Sequence, residues 1–157
     1  MTFTGIPNPT DFAALPSEAT EKWGTFPGHM GGANFAQLVG LQLEEVRADY
    51  ARMRVPWRPE IRQPAGMMHG GALATLVDTV VVPAIACAYE QVPVMLTLNL
   101  SLSYLGGILD SDAIAHGWVT RRGRSIVFCE AVVADESGNL AVRGTLTYKV
   151  STPRPTN

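Results

Sequence analysis

From position 96 to 103 leucine and polar residues alternate: Leu96, Leu98, Leu100 and Leu102 fall on one side of an extended chain, with Thr97, Asn99, Ser101 and Ser103 on the other. Successive side chains of a strand point to opposite faces, so the pattern predicts a strand with a core face and a polar face, the latter solvated or packed at a second interface. The same period recurs at 50–57, where Ala51, Met53 and Val55 interleave with Arg52 and Arg54, and a partner strand is expected at 41–46. Further strands are predicted at 113–120, 125–134 and 140–150; Asp135, Ser137, Gly138 and Asn139 supply a hairpin connection between the last two. Residues 70–89 read differently, as a nearly continuous apolar stretch behind Gly70 and Gly71 and the longest helix of the chain, about five turns. Pro83 lies inside it and is expected to bend its far half. Residues 1–33 are rich in Pro and Gly, with one short helix expected near 11–23, capped by Thr10 or Asp11, and a break at 27–32. The order is two strands, one long helix, four strands: an α+β fold in which an antiparallel sheet wraps around one central helix.

The chemistry concentrates where that helix begins. His69-Gly70-Gly71 opens it, and glycine lets a ligand approach backbone N–H groups that the helix dipole makes mildly positive. Such a place suits a carbonyl oxygen that gains negative charge. Asp78 is the only carboxylate of the helix and must be paired, hydrogen-bonded or functional. Eight residues separate Gly70 from Asp78, which along one helix is about 12 Å, whereas reacting groups need roughly 3–3.5 Å. One chain therefore cannot bring the two together. Two antiparallel copies of the helix about a two-fold axis would, so the expected active unit is a homodimer, with further pairing into a dimer of dimers.

Composition narrows the field. The 157 residues suit one domain, here 34–152, with 1–33 as an extension and 153–157 as a flexible tail. A net charge of −2 with no broad basic run argues against a nucleic-acid surface. No signal-like leader is read in the first residues, and the apolar run at 80–88 is short and broken by Pro83, so no membrane span is expected. Cys87 and Cys129 lie far apart in apolar segments and read as reduced thiols of a cytoplasmic protein, with no metal site. His29 and His116 read as structural or exposed.

With His69-Gly70-Gly71, Asp78 eight residues after Gly70, and strands ending in Leu102-Ser103-Tyr104-Leu105, residues 35–150 resemble the hotdog-fold acyl-CoA thioesterases, in particular the PaaI-like, phenylacetic-acid-degradation branch. The resemblance implies that Gly70 N–H binds the thioester carbonyl oxygen and that Asp78 is general base or nucleophile. It also implies that Gln63 helps hold the attacking group, that Thr97 belongs to the site, and that His69 shapes the loop and orients the carbonyl. The implied reaction is hydrolysis of acyl-CoA to free acid and CoA, with CoA part of the substrate and no separate cofactor. Asp78, set in an apolar interface, needs hydrogen bonds from groups such as Gln63, Thr97 or Thr79 to work ionised.

For the CoA phosphates, Arg121, Arg122 and Arg124 around Gly123 are the first candidates, or else a solvated strand end; Arg58 and Arg62 are the second. Pro83 and Gly106-Gly107 depart from the family pattern; the first leaves the acyl preference open, and the second the coenzyme A contacts at that point. Two other readings stand beside the first. A hotdog hydratase or dehydratase would need a His paired with an acid beside the substrate chain. A non-catalytic acyl-CoA-binding module would tolerate loss of Asp78. An acyl-carrier-protein thioester is a further substrate, which a basic docking face would favour.

Overall fold

A computed structural model describes residues 5–27 and 33–151. Residues 28–32 of the break expected at 27–32, with His29, and the tail at 153–157 lie outside them. Six strands, β1 (Gln42–Arg47), β2 (Tyr50–Val55), β3 (Val94–Tyr104), β4 (Ala113–Arg122), β5 (Ile126–Asp135) and β6 (Leu140–Ser151), form one sheet in the order β1-β2-β4-β5-β6-β3. Every neighbouring pair is antiparallel. Three helices accompany it: α1 (Ser17–Trp23), α2 (Phe35–Val39) and α3 (Gly70–Ala86).

α3 lies on one face of the sheet, and its Leu76, Val77, Val80, Val81 and Ile85 are fully buried there. β2 meets it with Ala51, Met53 and Val55, as the alternation predicted, and keeps Arg52 and Arg54 half-exposed. Two glycines allow the close approach. A Cβ on Gly117 of β4 would come within 2.7 Å of Val80 and 2.9 Å of Val81. One on Gly144 of β6 would meet Leu102 at 2.7 Å and Val77 at 2.9 Å. Helix and sheet are packed to the limit at both points.

Four local expectations change. α3 continues through Pro83 and ends at Ala86, and its last turn stays in the core, with Ala84, Ile85 and Ala86 buried. Proline forfeits one backbone bond there, and burial of the surrounding turn outweighs it. α2 was not foreseen: Asn34 and Gln37 form a reciprocal capping box, and Gly40 closes the helix at φ +85°. The N-terminal segment makes a 3-10 turn at Pro9–Asp11 capped by Asn8, and α1 starts after Pro16 without a side-chain cap, so neither Thr10 nor Asp11 caps it.

The fourth concerns β3. Thr97 pairs with Tyr148 and Asn99 with Thr147, leaving Leu98 as an extra residue in a bulge. One inserted residue shifts the period-two pattern, so the leucines do not share a face. Leu96 and Leu98 are each 56% exposed, while Leu100 and Leu102 pack against the core. The same bulge turns Thr97 toward α3.

Candidate active site

The loop before α3 is tightly tied. Gln63 N–H donates to Met67 O at 2.8 Å, Met68 N–H to Ile108 O at 2.8 Å, and His69 N–H to Ile61 O at 2.7 Å. Gly66 adopts φ +92°, which closes the turn within this loop. These bonds fix His69 in extended conformation as the N-cap of α3, where its Nδ1 accepts the Gly71 N–H at 2.9 Å. The acceptor role of Nδ1 places the ring proton of neutral His69 on Nε2. Gly70 N–H, one position earlier, has no hydrogen bond among the described residues.

That amide borders a cleft of about 520 Å³ lined by Gln63, Met67, His69, Gly70, Leu73 and Tyr104, among others. Tyr104, at the end of β3, donates its hydroxyl to Gly70 O at 2.9 Å. Its ring lies so close that a Cβ on Gly70 would sit 3.2 Å from Cε1. A side chain there would press on the Tyr104 ring, which would have to give by a few tenths of an ångström. Gln63 lines the cleft while its Oε1 accepts the Ala65 N–H at 2.9 Å, bracing the loop.

Asp78 lies two turns further along α3 and is half-buried. Its Oδ1 accepts from Thr97 Oγ1 at 3.1 Å and from the Tyr148 hydroxyl at 2.6 Å. The same hydroxyl is 2.7 Å from the Asp78 carbonyl oxygen. Burial, and then the neighbouring Asp78 charge, hold the Tyr148 phenol above its ordinary range, so it stays a donor. Thr97 supplies the hydrogen bond expected of it. Tyr148 was missed, although one signal was available: it interrupts the inward stripe Val142, Gly144, Leu146, Val150 of β6, and a buried phenol needs a partner.

The expected residues therefore form two clusters within one chain. Gln63, His69 and Gly70 stand at the start of α3, joined there by Tyr104; Asp78 and Thr97 stand two turns away, joined by Tyr148, and neither Asp78 nor Thr97 lines the cleft. The arginines do not converge. The bulge at Thr120 leaves Arg121 opposite Phe128 and Arg122 opposite Val127, which puts them on opposite sheet faces. Arg122 turns inward, paired with Asp49, its guanidinium 5.5 Å from the Tyr89 ring centroid. Arg121 and Arg124 are exposed, and Gly123 donates its N–H to Ile126 O at 2.8 Å. Of the second candidates, Arg58 donates to Leu38 O and Arg62 is exposed.

Comparison with known proteins agrees with this frame. The family model described as the thioesterase superfamily matches residues 65–142, from the loop before α3 into β6. A Deinococcus radiodurans protein provisionally named an esterase is 30% identical over 141 residues, covering 85% of this chain and 84% of its own length. Among solved structures, the conserved protein PA5202 of Pseudomonas aeruginosa is 25% identical with a TM-score of 0.74, covering 80% of this chain and 99% of that one. The Escherichia coli PaaI protein from the phenylacetic acid degradation operon superposes with a TM-score of 0.75 at 12% identity, covering 86% of this chain and 96% of that one. This last likeness is one of fold: the six-stranded sheet around a central helix is the hotdog architecture.

Proposed function

The chain belongs to the thioesterase superfamily, and from that premise we propose that it hydrolyses acyl-CoA thioesters to free acid and CoA at a site shared by two protomers. The observation that carries the reading is the unpaired Gly70 N–H at the start of α3, beside a cleft, with a hydrogen-bonded carboxylate two turns along the same helix. An oxyanion donor needs a backbone N–H with nothing else to bond, and among the described residues Gly70 N–H, the first amide of the helix, has no partner, while His69 takes the next one.

The chemistry runs as follows. The thioester carbonyl oxygen accepts from Gly70 N–H. Asp78 of the partner subunit removes a proton from water, which attacks the carbonyl carbon, or attacks that carbon itself. The tetrahedral oxygen carries negative charge against Gly70 N–H and the helix start. As the C–S bond breaks, the CoA sulfur leaves with the electron pair and takes a proton; in the direct route, water then opens the acyl anhydride. Both routes need an ionised Asp78, which Thr97 and Tyr148 favour by donating to it. CoA phosphates are assigned to Arg121 and Arg124, whose guanidiniums are exposed, whereas Arg122 is engaged by Asp49.

The shared site rests on distance and on an edge. Gly70 and Asp78 are about 12 Å apart along one helix. β3 is an edge strand of 11 residues whose Val94, Leu96 and Leu98 are exposed. Long apolar edges invite another strand, and a second copy paired there by two-fold symmetry would set the two α3 helices side by side.

The test is thiol release from short, long and aromatic acyl-CoAs by wild type and Asp78→Asn, with sedimentation to follow the dimer. Wild-type turnover that falls by about 10² or more in the variant, with dimer and fold intact, is expected. No turnover on any substrate, or equal turnover in Asp78→Asn, would overturn the proposal.

A further inference from the structure

The Asp78 carboxylate is held from one side only. Thr97 of β3 and Tyr148 of β6 are direct cross-strand partners, and both aim their hydroxyls at Oδ1, at 3.1 and 2.6 Å. No hydrogen bond reaches Oδ2 among the described residues. The two oxygens of one carboxylate are thus chemically distinct here. Tyr148 is 3% exposed, so its hydroxyl is fixed by packing on both neighbouring strands, opposite Thr97 on β3 and Val127 on β5. The groups around it are Asp78 from α3, Thr97 from β3 and Cys129 from β5. Burial pushes the Cys129 thiol up to about 12, so it brings no charge at neutral pH.

A phenol has one proton and here two acceptors, Asp78 Oδ1 and the Asp78 carbonyl. A bond from a neutral donor to an anion is the stronger of the two, so the proton goes to Oδ1 whenever the carboxylate is ionised. The bond also fixes the carboxylate torsion, which side-chain packing alone leaves broad.

Resting on the thioesterase reading above, we propose that Tyr148 is a positioning residue: with Thr97 it pins the Asp78 carboxylate through Oδ1 and presents Oδ2 as the oxygen that reacts at the Gly70 amide of the partner subunit. The role is distinct from that of a catalytic residue, because Tyr148 touches the carboxylate and not the thioester. Removing only its hydroxyl leaves the packing of the ring and takes away the bond.

Tyr148→Phe tests it against the acyl-CoA that wild type turns over best. The expected result is a kcat lower by about 10- to 100-fold and a KM within about twofold, since substrate binding is not what the hydroxyl serves. In an Asp78→Asn background the same change costs nothing further. NMR of [13Cζ]tyrosine reads the contact without turnover: the Tyr148 phenol ionises at higher pH in wild type than in Asp78→Asn, where burial remains but the neighbouring charge is gone. A Tyr148→Phe enzyme with wild-type kcat overturns the proposal, as does a loss that adds in full to that of Asp78→Asn. A wild type inert toward every acyl-CoA, with the NMR coupling intact, instead removes the thioesterase reading on which it rests.

Discussion

At the start of α3 two successive amides meet different fates: His69 caps the second, and the first has no partner among the described residues. His69 Nδ1 takes the Gly71 N–H at 2.9 Å, and the Gly70 N–H stands beside the cleft. This makes His69 a cap whose effect on chemistry is indirect. Asn is among the best capping residues, and its Oδ1 does what Nδ1 does here. His69→Ala is therefore expected to lower the unfolding free energy by ~1 kcal/mol, while His69→Asn restores most of it. If capping is the whole role, His69→Asn also keeps thiol release within about tenfold of wild type. A proton-transfer role would show as an Asn variant that is stable yet as inactive as the Ala variant. The residues of this end were legible in the sequence because their signals are local: glycines, a cap and a helix start lie within three positions. Tyr148 was not, because its meaning depends on Asp78, 70 residues away in the chain.

Elements rather than residues explain where the sequence pattern misled. Alternation located β3 and its partners to within a few residues, but a bulge has no signature in the hydrophobic pattern of Leu96 to Leu102. Its consequence is twofold: Thr97 reaches Asp78, and Leu96 and Leu98 face away from the core at the sheet edge. α2 was missed for a different reason. Five residues are too few to show a helical period, and the Asn34–Gln37 capping box was the only sign of it. If the edge of β3 is where a second copy adds, a charge there should oppose pairing without disturbing a core that does not contain it. Leu98→Lys is expected to sediment as a folded monomer and to lose thiol release together with the dimer. A Leu98→Lys protein that is monomeric but fully active would show that one chain suffices and remove the shared site.

On the scale of the whole molecule, ion pairs and buried thiol and phenol groups act at opposite ends of the pH range. On the face away from α3, Arg54 donates to Glu44 at 2.5 Å, Asp112 at 2.8 Å and Glu136 at 3.0 Å, tying β1, β2 and the segments flanking β4 and β5. Burial raises the Glu44 carboxyl, but the hydrogen bonds and charges of Arg54 and Arg52 outweigh it and leave it below its ordinary value. The Trp57 N–H, and then Arg54, hold Asp112 below its own. Carboxyls depressed in the folded state contribute stability that is present above their unfolded values and lost as pH falls through the folded ones, so acid destabilises below about pH 4. For the buried thiol and phenols, Tyr50 of β2 included, the sign reverses. Burial raises Cys129 from 9.0 to about 12 and puts Tyr148 above its ordinary 10.0. Between these limits the unfolded chain releases protons that the folded chain keeps, so ν_U − ν_N is negative and stability falls as pH rises. Urea titrations at stepped pH should therefore show a decline that begins near pH 9, and on the acid side a loss that starts below about pH 6.5, where the unfolded chain protonates His116 and burial keeps the folded one neutral. Cys129→Ala removes one of the retained protons, and its decline between pH 9 and 12 should be shallower than that of wild type, whatever its stability at pH 7. Parallel slopes for the two proteins would mean that the Cys129 thiol ionises alike in both states, and the alkaline limit would then belong to the tyrosines.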